Sequence, residues 1–204
     1  MRRKTVWLSA AAGAACGAAA YFLKKKLASA SGAGAAKKAP PASGSAPVAP
    51  KSVREASYSF ISGFQDAATV EMKFSYDPER FSFSVLEDEF LTESGDSHVG
   101  VLYGEDYSAQ FEYGSYYHGD DFSKLRQELS GKHSDLSDAE YGTLTGVKFR
   151  AGDNLCLAFP IPEDAYSYLL VTLVKAPDND DELEALPEDP DLRFMLSSVS
   201  FSRS

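Results

Sequence analysis

Val70-Glu71-Met72-Lys73-Phe74-Ser75-Tyr76 alternates apolar and polar side chains without a break, and Phe81-Ser82-Phe83-Ser84-Val85 repeats the pattern. Successive side chains of an extended backbone point to opposite faces, so such runs are half-buried strands and not helices. Outward from them, Val99, Val101 and Tyr103 form a third run. Tyr107, Ala109, Phe111 and Tyr113 form a fourth, with Ser108, Gln110 and Glu112 on the other side. Val147 and Phe149 mark a fifth, and Leu155, Leu157 and Phe159 a sixth, ended by Pro160 and Pro162. Tyr168–Val174 is apolar on both faces, which places it centrally in a sheet covered on two sides. The short connections predict mainly antiparallel pairing.

Two segments read as helices. Asp120-Asp121 supplies an N-cap and first-turn acid, Phe122, Leu125 and Leu129 a buried stripe, and Gly131 a stop. Leu183 and Leu186 belong to a short acidic piece broken by Pro187. Pro190, Leu192, Met195 and Leu196 then begin another turn or two, ahead of a last strand, Ser198–Ser202, carrying Val199 and Phe201. The expected fold class is α+β, a mainly antiparallel sheet with flanking helices.

Charge divides the 204-residue chain. Residues 1–54 contain no Asp or Glu and ten basic residues; 10 basic and 30 acidic residues remain for 55–204, a formal charge of −20. A phosphate-binding surface needs a basic patch, so nucleic acid is not the expected partner of this domain. The acidity suits solubility, basic partners or cations. About 150 residues can bury a core without staples. Cys16 and Cys156 are the only cysteines, so no disulfide is expected within the domain.

Thr5–Leu23 is uncharged and lies between Arg2-Arg3-Lys4 and Lys24-Lys25-Lys26. As a helix it would span about 29 Å, close to the hydrocarbon core of a bilayer. Trp7 and Tyr21 sit where interfacial aromatics belong. The expectation is an uncleaved single-pass anchor over 1–27, preceding the domain as a transmembrane helix. Two other readings stay open: signal cleavage near Ala28-Ser29-Ala30, against which the three lysines count, and lipidation at Cys16, where Gly13 stands in place of a large aliphatic residue. Gly13 and Gly17 form a small-residue pair through which a transmembrane homodimer could pack. Both flanks are basic. A short tail ahead of a first apolar segment as a rule stays in the cytoplasm, which puts the domain on the extracytoplasmic side of the cell membrane. Residues 28–56, rich in Ala, Pro, Ser and Lys, read as a disordered linker, and 57–204 as the acidic domain.

Phe74-Ser-Tyr76-Asp77-Pro78-Glu-Arg-Phe81 near the domain start and Leu192-Arg-Phe-Met-Leu-Ser197-Ser198-Val199-Ser-Phe201 at its end frame an order of strands, one helix, three strands, then a helix running into a final strand. This resembles the PsbP-like fold family, which includes the extrinsic photosystem II subunit and an import factor that binds the Ran GTPase. The resemblance spans residues 57–203 and implies binding and assembly more than catalysis. It transfers no functional residue.

Chemistry-bearing patterns are few. Gly95-Asp96-Ser97-His98-Val99-Gly100 misses the spacing of a nucleophile elbow and reads as a polar hairpin loop. His98, His118 and His133 have no metal-ligand spacing to one another or to Cys156. Asp178-Asn179-Asp180-Asp181-Glu182 lacks the glycine and distant Glu of a calcium loop. No catalytic residue, metal ligand or cofactor is therefore expected. Tyr113–Asp121 is the most site-like stretch: Tyr116, Tyr117, His118 and Asp120 combine aromatic surface, an imidazole and a carboxylate at a strand-to-helix junction, and a protein partner is expected there. The functional expectation is a non-catalytic, membrane-tethered interaction or assembly module, with an extracytoplasmic small-ligand or Ca²⁺ sensor as the alternative.

Overall fold

The computed structural model describes residues 50, 52–62, 68–87, 98–116, 120–162, 164–176 and 183–203, all within the unit Ser45–Ser204. In chain order they form β1 (Arg54–Ser62), β2 (Ala68–Tyr76), β3 (Phe81–Glu87), β4 (His98–Gly104), β5 (Tyr107–Ser115), α1 (Phe122–Lys132), β6 (Ser137–Tyr141), β7 (Leu144–Ala151), β8 (Asn154–Ile161), β9 (Asp164–Lys175), a 3-10 helix (Leu183–Glu188), α2 (Pro190–Ser197) and β10 (Ser200–Arg203). Most of this is antiparallel sheet, with a few helices. The expected anchor, with Gly13 and Gly17, and the linker up to residue 49 lie outside the described residues. Among the described residues no helix is long and apolar enough to cross a membrane. β1 begins at Arg54, ahead of the domain boundary expected after residue 56.

There are two sheets where the sequence reading has one. A three-stranded sheet runs β1-β2-β10 and a seven-stranded sheet runs β3-β4-β5-β9-β8-β7-β6. Every pairing is antiparallel. The chain changes sheets at Asp77-Pro78-Glu79-Arg80. The Asp77 carboxylate accepts from the Glu79 N–H, and the Asp77 carbonyl accepts from the Arg80 and Phe81 N–H groups. Proline cannot donate to a ladder, so Pro78 suits this break between β2 and β3.

β9 is the middle strand of seven, as its two-sided apolarity predicts. Its odd-numbered Leu169, Val171 and Leu173 enter the main core, which also holds Met72 and Phe74 of β2, Phe111 of β5 and Leu192, Met195 and Leu196 of α2. Its even-numbered Tyr168 and Leu170 pack on a second cluster of Val147, Phe149, Cys156 and Ala158, to which α1 and the loop after it bring Phe122, Leu129 and Leu136. Each buried Phe or Leu stabilises by about 1.5–3 kcal/mol relative to exposure, so the main core dominates the energetics.

Differences from the expected elements have local causes. β1 and β6 are additional strands; β6 turns only Ala139 and Tyr141 inward and exposes Ser137, Asp138 and Glu140, so its apolar signal is short. β8 runs through Pro160 to Ile161, and the pairing register shifts between those two residues, where a missing N–H is tolerated. α1 carries its stripe half-buried, with no residue fully enclosed. Gly131 lies inside the helix and does not stop it. The helix ends at Lys132, the His133 N–H bonding the Leu129 carbonyl while its ring lies 4.7 Å from that of Phe149.

Candidate functional site

Of the four residues singled out at the strand-to-helix junction, Tyr116 and Asp120 are described; Tyr117 and His118 lie outside the described residues. β5 positions Tyr116. Its pairing with β9 sets Gly114 opposite Tyr168 and Ser115 opposite Ser167, and the Tyr116 N–H donates to the Tyr166 carbonyl at 2.9 Å. Side chains alternate, so Gly114, Tyr116, Tyr166 and Tyr168 share one face of the sheet. Gly114 is required there: a Cβ would run into the Tyr168 ring. That ring crosses the strand at Gly114 and receives Tyr116 at 5.4 Å between centroids, tilted by 31°.

Two carboxylates close the cluster. Asp121 is the α1 N-cap, its Oδ1 accepting from the Lys124 N–H at 3.0 Å. Asp164, the first residue of β9, is 1% exposed; its Oδ1 accepts from the Tyr166 N–H at 3.0 Å. Asp164 Oδ2 and the Tyr116 hydroxyl are buried without a hydrogen-bond partner among the described residues. Burial pushes the Tyr116 phenol well above its ordinary range, and the charges of Tyr168, Asp121 and Asp164 push it further. It is therefore a neutral phenol throughout the physiological range, able to donate or accept.

The sequence reading missed Asp164, Tyr166 and Tyr168. Asp164-Ala165-Tyr166-Ser167-Tyr168 has the same acidic and aromatic composition as the stretch it meets, but only the β5–β9 pairing brings the two together.

A second concavity, about 130 Å³, is lined by Asp135, Lys148, Phe149, Arg150, Leu155 and Glu184. Its charges balance, and Arg150 is engaged: the guanidinium bonds Glu184 at 2.6 Å and the backbone N–H bonds Asp135 at 2.8 Å. Arg80 forms a third polar centre, bonded to Asp191, 3.2 Å from Asp106 and 3.7 Å from Asp189. This centre ties the β2–β3 turn to the start of α2 and is a structural clamp.

Among the described residues no group of three or more His, Cys, Asp or Glu side chains could hold a metal ion. Cys156 is buried, and its thiol lies 3.9 Å from the Thr172 hydroxyl. Gly95–Ser97 and Asp178–Glu182 lie outside the described residues; His98 opens β4. No family model, curated protein or solved structure matches the chain.

Proposed function

We propose that this chain is a non-catalytic, membrane-tethered interaction or assembly module. In this reading residues 1–27 anchor it as a single-pass helix in the cell membrane, a spacer from residue 28 leads to β1, and the acidic domain works on the extracytoplasmic side. The observation that carries it is the segregation of charge and hydropathy: an uncharged Thr5–Leu23 between two basic triplets, then a formal charge of −20 over residues 55–204. The Tyr116–Asp164 cluster adds support, because it offers aromatic and polar recognition groups. The PsbP-like resemblance belongs to this proposal and rests on its two sequence segments.

Intact cells carrying the protein with a C-terminal epitope would be treated with a membrane-impermeant protease, and the native membranes crosslinked in parallel. Loss of the epitope with a cytoplasmic control intact, together with a discrete crosslinked protein, is the expected result. Protection until lysis overturns the orientation. Recovery of the protein from the aqueous fraction after carbonate washing overturns the anchor.

A further inference from the structure

The Tyr116–Asp164 cluster contains an unresolved polar imbalance. Asp164 is almost wholly enclosed, yet one of its carboxylate oxygens accepts nothing among the described residues, and the enclosed Tyr116 hydroxyl, which feels the Asp164 charge, is equally without a partner among them. Native interiors satisfy nearly all such atoms, and exceptions concentrate where function uses them. Among the described residues no Lys or Arg forms an ion pair with Asp120, Asp121 or Asp164. What the cluster lacks is a hydrogen-bond donor carrying positive charge.

Its walls fit the same ligand. Tyr116 and Tyr168 present ring faces to each other's surroundings, and Tyr166, 62% exposed, stands at the rim on the same side of the sheet. Aromatic faces attract cations through their quadrupoles. Asp121 is exposed, and its charge, which Tyr116 feels, adds negative potential to the cluster. Asp164 is 1% exposed, and a long alkyl stem ending in a charge is the kind of side chain that carries a cation past a surface to a buried acceptor. An ammonium has three donors around a single point, which suits separate acceptors such as Asp164 Oδ2 and the Tyr116 oxygen, whereas a guanidinium needs a flat fork.

We infer that Tyr116, Asp164, Tyr166 and Tyr168 form a receptor for a lysine side chain on a basic segment of a protein partner. This rests on the interaction-module reading and names the chemistry of the partner that module takes. The −20 charge of residues 55–204 favours the encounter and disfavours anionic lipid as the occupant.

The test uses the full chain in neutral-lipid nanodiscs and two fluorescent nonapeptides, one alternating lysine with alanine and one alternating glutamine with alanine, followed by anisotropy. The lysine peptide is expected to bind and the glutamine peptide not to. Asp164→Asn keeps the shape, removes the charge and is expected to weaken binding about tenfold or more; Tyr116→Phe keeps the ring and is expected to weaken it about threefold to tenfold. Asp153→Asn, an exposed turn residue, removes the same charge elsewhere and should leave affinity unchanged. Equal loss in Asp153→Asn and Asp164→Asn would mean bulk attraction only and overturns the receptor, as does wild-type affinity in Tyr116→Phe. Should Asp164→Asn fail to fold, Tyr116→Phe and Asp153→Asn decide between them. A crosslinked native partner retained undiminished by Tyr116→Phe would sink the lysine site while leaving the interaction module standing.

Discussion

Gly114 lacks a side chain because Tyr168 occupies that space. A methyl group there would strike the ring, so Gly114→Ala displaces Tyr168 and, through the tilted ring contact, Tyr116. The expected cost is about 1–3 kcal/mol, the range of overpacking, read as a lower denaturation midpoint in urea. The Gly114→Ala, Tyr168→Ala double variant should lose less than the two single changes added together, because the clash vanishes with the ring. Tyr141 makes a different single-residue prediction. It is buried and donates to the Pro187 carbonyl at 3.3 Å. Burial, with the Glu188 charge and against Arg193, pushes its phenol up to about 12. The folded state thus holds Tyr141 neutral more firmly than the unfolded state does. That contribution is complete below about pH 10, where an unfolded tyrosine titrates, and is lost as pH rises toward 12. Tyr141→Phe should therefore flatten part of the alkaline fall in the urea midpoint, and the tyrosinate absorbance of the folded protein should lose one late-titrating step.

At the scale of elements, the two helices depend on their caps to different degrees. Asp121 caps α1 with one bond, to the Lys124 N–H. Asp189 caps α2 with two, from the Asp191 and Leu192 N–H groups, and its Oδ1 also accepts from the Tyr107 hydroxyl, each at 3.0 Å. Asp121→Ala is expected to cost about 0.5–1 kcal/mol, and Asp189→Ala about 2 kcal/mol or more, because the second also orphans a buried phenol. Chemical denaturation of both variants checks the order; a larger loss from Asp121→Ala would contradict it. α1 also carries a correctable weakness. Nothing lies within 4 Å of a Cβ built on Gly131, which sits in the last turn of the helix. Gly131→Ala should stabilise by about 0.5–1 kcal/mol, seen as a rise in melting temperature.

For the whole molecule, the joint between the two sheets matters most. α2 packs against β2 and sends β10 back to pair with it, while the Ser75 N–H donates to the Ser198 hydroxyl at 2.8 Å. Leu196 belongs to the helix that makes this joint and is fully buried in the main core. Leu196→Ala should cost about 2–5 kcal/mol through lost transfer energy and the cavity left behind. Because one core spans both sheets, the loss should appear as a single cooperative transition at lower urea concentration. Two separated transitions would show that the sheets unfold independently.

Much of the fold is written locally. Period-two alternation marks β2, β3, β4 and β5 directly, and the apolarity of Tyr168–Val174 on both faces identifies the middle strand before any pairing is known. The Asp120-Asp121 pair announces the start of α1. β1 and β6 are fainter, β6 because its outward face is acidic and only Ala139 and Tyr141 turn inward. Part of the candidate site, Tyr116 and the Asp121 cap, is visible as a tyrosine-rich stretch next to a helix start. The rest, Asp164, Tyr166 and Tyr168, is not. A side chain's periodicity depends on its immediate neighbours, so the sequence by itself determined most of the strands, the cap of α1 and the separation of a basic, apolar start from an acidic domain. Strand order, the division into two sheets and the meeting of Tyr116 with Asp164 depend on closing long loops around one core, and only the tertiary structure decided them.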